Sequence, residues 1–178
     1  MAVLVWVAEG TWPACVDAAA QWASPTSDVE LLAVAAGQGE DSAHAAFAGL
    51  LGRGRGGRDP GLRIAAMGEA ATIAMLRSAA DRLGRPSTSR TLAGRPERAL
   101  VEAAAGAELL VLARDGDLER LGPHSLGPTT RFVVDHAPCP VLLVWPRRPT
   151  TTALPPPPPG PPPAPGQHPA PEQHPPRP

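Results

Sequence analysis

The alternation of strand-length apolar runs with helix-length periodic segments predicts an α/β protein, with a parallel sheet covered by helices on both faces. Three observations carry this. Short runs such as AVLVWVA and ELLVLA are apolar at every position, as strands buried on both faces are. Between them lie segments whose apolar residues recur at three and four. Each run ends in Gly, Pro, Asp or Ser, where the chain turns.

Ala2 to Ala8 (AVLVWVA) reads as the first strand, closed by Glu9-Gly10-Thr11. Thr11 is placed to cap a helix whose face is Cys15, Ala18, Ala19 and Trp22, and Ser24-Pro25 ends it. Asp28 to Ala36 is the second strand. The signal then weakens between Gly37 and Gly61: a helical patch from His44 to Leu51 precedes GRGRGGRDPG, a solvated loop carrying Arg53, Arg55 and Arg58. Asp59 and Pro60 look like an N-cap and a first turn, and Ile73, Leu76, Ala80 and Leu83 mark one face of a helix that Gly84 closes. Ser87 to Leu92 is a polar third strand suited to a sheet edge. Gly94-Arg95-Pro96-Glu97 opens a helix with Leu100, Val101 and Ala104 on one face and Gly106 after it. Glu108 to Ala113 is a buried strand, Pro128 to His136 a helix stopped by Ala137-Pro138, and Val141 to Trp145 the last strand.

Composition divides the chain in two. Residues 1–146 suffice for one two-faced domain, whereas residues 147–178 are dominated by proline and read as a disordered tail with little to bury. All 16 basic residues are arginine, so neither a Schiff-base lysine nor a P-loop lysine is available. A net charge of −1 does not favour nucleic acid. MAVLVWVAEG meets an acid after eight residues and no twenty-residue apolar span occurs, so no membrane segment is read and a cytoplasmic protein is expected. Cys15 and Cys139 lack a CxxC or nearby histidine and read as buried thiols, with no metal site. Neither G-x-S-x-G nor H-E-x-x-H is present, so no catalytic residues are assigned. His136 is read as a structural residue at a helix end. His168 and His174 in the tail are weak metal candidates, and the tail's prolines suit an aromatic-lined groove on a protein partner.

The stretch Ala113 to Thr130, ARDGDLERLGPHSLGPTT, lies between a buried strand and a helix N-terminus. An α/β protein holds a phosphate at such a place, because backbone N–H groups and the helix dipole converge there. Its Asp115, Asp117 and Glu119 oppose a phosphate unless they hold Mg²⁺, whereas Arg114, Arg120 and His124 favour one.

Two segments resemble a known family. GPTTRFVVDHAPCPVLLV, from Gly127 to Val144, is similar to the closing segment of universal stress proteins, and AGRPERALVEAAAGAELLVLA, from Ala93 to Ala113, to their third helix and fourth strand. Glu9-Gly10-Thr11 stands where that family usually has Asp-Gly-Ser. The resemblance spans Ala2 to Trp145. It implies a doubly wound sheet of five parallel strands in the order 3-2-1-4-5, and a homodimer formed through the last strand, Val141 to Trp145. It also implies a non-catalytic stress-response role.

ATP-binding members hold the nucleotide above strands 1 and 4 with the motif G-x2-G-x9-G-[ST]. With Gly127 as the third glycine, the first two fall on Arg114 and Asp117, and Pro128 takes the hydroxyl position. Gly116 lies one residue from the second glycine position, and Gly122 falls within the spacer. Losing two phosphate donors costs about 3 to 6 kcal/mol, or about two to four decades in affinity. The resemblance therefore implies a degenerate ATP site, with Mg²⁺ if bound, formed by Glu9, Gly10, Val34, Arg114, Gly116, Gly127, Thr129 and Thr130. The alternative is a dimeric interaction module that no longer binds nucleotide.

Overall fold

A computed structural model of the chain describes residues 2–35, 60–119 and 123–146. Within these residues, five parallel strands form one sheet in the order β3-β2-β1-β4-β5: β1 (Ala2–Trp6), β2 (Asp28–Val34), β3 (Thr88–Leu92), β4 (Leu109–Ala113) and β5 (Val141–Val144). The helices are α1 (Trp12–Trp22), α2 (Pro60–Leu83), α3 (Pro96–Ala103) and α4 (Pro128–His136), with a short 3₁₀ turn at Pro123–Ser125. The expected strand order is thus the observed one. The readings for the 44–51 helix, Arg53, Arg55, Arg58, Asp59, Arg120, Gly122 and the tail lie outside the described residues.

Successive side chains of a strand point to opposite faces, and here both faces are apolar. Val3, Val5 and Val7 join Leu31, Val111 and Ala113 under α1 and α2, where Cys15, Val16, Ala19, Leu76, Ala79 and Leu83 meet them. Leu4 and Trp6 join Leu32, Leu110 and Leu112 under α3 and α4, against Leu100, Ala104 and Val133. Strands β1 and β4 therefore hold the two layers together. β3, exposed along most of its length, forms one edge and β5 the other. Arg85 fastens the loop ahead of β2 by donating to the carbonyl oxygens of Ser24, Pro25 and Ser27.

Several local readings need correction. β1 stops at Trp6 and β2 at Val34, although Val7 N–H still bonds the Leu32 carbonyl at 2.7 Å. Thr11 holds the N-cap position of α1 without a side-chain capping bond: its hydroxyl turns back to the Ala8 carbonyl, and Pro13 removes one donor from the first turn. Trp22 is 67% exposed, because the chain leaves the helix at Ala23 and this small residue takes the buried place. Ile73 is 40% exposed, since the side of this helix that faces the sheet runs through Leu76, Ala79 and Leu83, and position 73 falls on the shoulder of that side. Cys139 is only half-buried, whereas Cys15 is enclosed; both thiols are free.

Burial pushes the Cys15 thiol from 9.0 up to about 12. The folded state thus keeps a proton that the unfolded state releases, so the stabilisation is complete below pH 9.0 and is lost as pH rises toward about 12. With no lysine and no tyrosine in the chain, the only other side chain that titrates in this window is Cys139. The denaturant midpoint is expected to fall above pH 9.0, with Cys15 contributing a slope approaching about 1.4 kcal/mol per pH unit. Cys15→Ala should flatten most of that fall; an equal fall in both proteins would contradict this account.

Candidate functional site

Strand order reverses at β1, which has β2 on one side and β4 on the other. In an open α/β sheet the loops leaving two such strands part at their carboxyl ends and leave a crevice. Here its rims are the turn Ala8–Thr11, which leads into α1, and residues Arg114–Glu119 and Pro123–Gly127, the latter leading into α4. Glu9 and Gly10 lie exposed on the first rim, where the Thr11 and Trp12 N–H groups both bond the Ala8 carbonyl. Val34 ends β2 opposite Leu92 of β3 and packs with the cluster under α3 and α4.

The second rim is closed on itself. Gly116 N–H donates to the Ser125 carbonyl at 3.0 Å, and Asp117 N–H to the His124 carbonyl at 2.8 Å, so the two ends of the loop zip together. This approach admits no side chain at Gly116, where a Cβ atom would lie 2.3 Å from the His124 carbonyl oxygen. Gly116 is thus the residue that the tight turn requires, and the spacer to Gly127 is ten residues rather than nine. Asp117 accepts from Glu119 N–H at 3.0 Å.

Arg114 leaves β4 with its backbone N–H still bonded to the Val144 carbonyl. Its guanidinium donates to the Ser125 hydroxyl and lies 4.5 Å from the centre of the Trp145 ring, a cation–π contact. Arg114 Nε is buried, with no hydrogen-bond partner among the described residues. The side chain expected to meet a phosphate is therefore engaged in fastening the loop to the end of β5.

The N-terminus of α4 has Gly127 as its N-cap, which offers no side-chain acceptor, followed by Pro128, which has no N–H. Asp115 reaches across the loop to accept from the N-cap residue's own N–H, with Oδ1 2.8 Å from Gly127 N. A Cβ on Gly127 would lie 2.7 Å from that same oxygen, so the carboxylate is seated directly on the glycine. Thr129 is half-buried in the same turn. Thr130 is wholly buried, and its hydroxyl donates to the Ala113 carbonyl at 3.1 Å. The Thr130 hydroxyl thus ties α4 to β4. Within the loop, the N–H groups of Gly116, Asp117 and Gly127 are all bonded internally.

The sequence did not reveal the part played by Asp115 or Ser125. The available signal was a Gly-Pro helix start with no acceptor of its own, which must find one elsewhere. His136 has a helix-end role, with Nδ1 2.8 Å from the Phe132 carbonyl oxygen and its ring stacked on Phe132. At the opposite end of the sheet, a cleft of about 440 Å³ is lined by Thr26, Asp28, Arg85 and Thr88. Its arginine is already committed to three backbone carbonyls.

Comparison with known proteins bears on the whole described body. The model of the Universal stress protein family matches residues 14–144. Among solved structures, the chain is similar to a universal stress protein in complex with cAMP, at 23% identity and a TM-score of 0.56, covering 83% of this chain and 98% of that one. It is also similar to a universal stress protein family protein from Arabidopsis thaliana with AMP bound, at 15% identity and a TM-score of 0.51, covering 82% of this chain and 91% of that one. No curated protein matches.

The close approach at Gly116 predicts that Gly116→Ala unzips the loop, since backbone rather than a flexible side-chain tip stands in the way. The expected result is destabilisation of about 1 to 3 kcal/mol, with loss of the Arg114–Trp145 contact seen as a shift in tryptophan fluorescence. Unchanged melting and fluorescence would contradict this.

Proposed function

Because the chain belongs to the universal stress protein family, we propose that it is a non-catalytic stress-response regulator with a weakened adenine-nucleotide site in the crevice between β1 and β4. The observation that carries the proposal is the rim from Arg114 to Gly127, which joins the end of β4 to the N-terminus of α4 beside the point where strand order reverses. The structural likeness to proteins holding cAMP and AMP supports an adenine nucleotide as the ligand class.

Glu9, Gly10 and Val34 are proposed to border the nucleoside, and Gly116, Gly127 and Thr129 the phosphate end, with Arg114 behind them. The side chains of Arg114, Asp115, Ser125 and Thr130 each hold the loop or α4 in place. The β5 edge is proposed to pair two copies of the chain, and the proline-rich residues 147–178 to meet a protein partner. The internally bonded loop favours a second reading, in which a dimeric interaction module has given up nucleotide altogether.

Isothermal titration of the full chain with AMP and with Mg-ATP tests this. The expected result is weak, saturable binding of both, in the high-micromolar to millimolar range, with no strong preference for the longer phosphate chain. Silence at millimolar ligand would overturn the nucleotide site and leave the interaction module.

A further inference from the structure

We infer that the Asp115 carboxylate is an autoinhibitory plug: it occupies the place on the α4 N-terminus that a nucleotide's terminal phosphates need, and must leave before they enter. This rests on the proposal that an adenine nucleotide enters the crevice. Two contacts fix the carboxylate there, its bond to Gly127 N and its seating against the glycine, at distances a side chain on residue 127 would not permit. A third feature holds it from behind: residues on either side of Asp115 are tied to the segment ahead of Gly127, Arg114 through the Ser125 hydroxyl and Gly116 through the Ser125 carbonyl. The acid is thus carried onto the helix end by the same zip that closes the loop.

A carboxylate at a helix N-terminus makes the same charge-assisted contact with N–H groups that a phosphate makes there. The two anions compete for one position, and a phosphate arriving while the carboxylate remains also meets its charge. The plug therefore discriminates by phosphate content. A nucleoside, which has no group to place at α4, is indifferent to Asp115, whereas a di- or triphosphate is penalised by it.

The test uses the full chain as wild type, Asp115→Ala and Asp115→Asn, with inorganic phosphate followed by thermal melting and with adenosine and ATP followed by calorimetry. Asp115→Asn keeps an acceptor oxygen for Gly127 N–H while removing the charge, so it stays informative should Asp115→Ala fold poorly. The expected results are a phosphate-dependent rise in melting temperature for Asp115→Ala but not wild type, and ATP affinity raised about tenfold or more, with adenosine affinity unchanged. Asp115→Asn should shift ATP affinity in the same direction by less. A phosphate response in Asp115→Ala with no binding of ATP or adenosine to any form would uphold the plug and overturn the adenine site. ATP binding that is equal in all three proteins would overturn the plug and leave the adenine site standing, and so would an absence of phosphate response in both variants.

Discussion

Everything in this molecule depends on two central strands that must be covered on both faces. From Val3 to Val7, and from Leu110 to Ala113, no side chain reaches solvent appreciably. Such strands are stable only between two helical layers, and parallel pairing with right-handed crossovers supplies them. β1, β2 and β3 grow the sheet in one direction and β4 and β5 in the other. The crevice at the carboxyl ends of β1 and β4 is therefore a consequence of burial, present whatever the loops around it contain.

What those loops contain decides whether the crevice holds anything. A helix start exposes N–H groups that must be satisfied. In α4 the N-cap is glycine and the next residue proline, so the helix supplies no acceptor of its own. Asp115 fills the need from twelve residues away, and the closing of the loop over Gly116 brings it there. One set of contacts thus satisfies the N-cap amide, orders the rim and occupies the N–H groups of Gly116, Asp117 and Gly127.

The elements were legible in the sequence because they rest on local rules, whereas the strand order came from the family resemblance. Apolar runs marked β1, β2, β4 and β5, the polar run at Ser87 to Leu92 marked an edge, and the Pro-initiated helices began where proline stands in their first turn. Where the reading failed, a neighbour outside the window had changed the outcome. Trp22 obeys the helical period yet lies outside because Ala23 closes the helix against the sheet, and Ile73 does so because the buried side of α2 is centred on Leu76, Ala79 and Leu83. The site was less legible for the same reason. Charge counting marked Asp115 as hostile to phosphate but did not show that it sits on the α4 N-terminus, and the Thr130 hydroxyl is turned to the Ala113 carbonyl by packing that no local pattern records.

The central claim is that Gly127 N–H belongs to Asp115, and amide hydrogen exchange at Gly127 measures this without any ligand. Protection of that amide in the wild-type chain, lost in Asp115→Ala, is the result predicted. Exchange at the rate of an open peptide in the wild type would mean that the helix end is free, and would contradict the account.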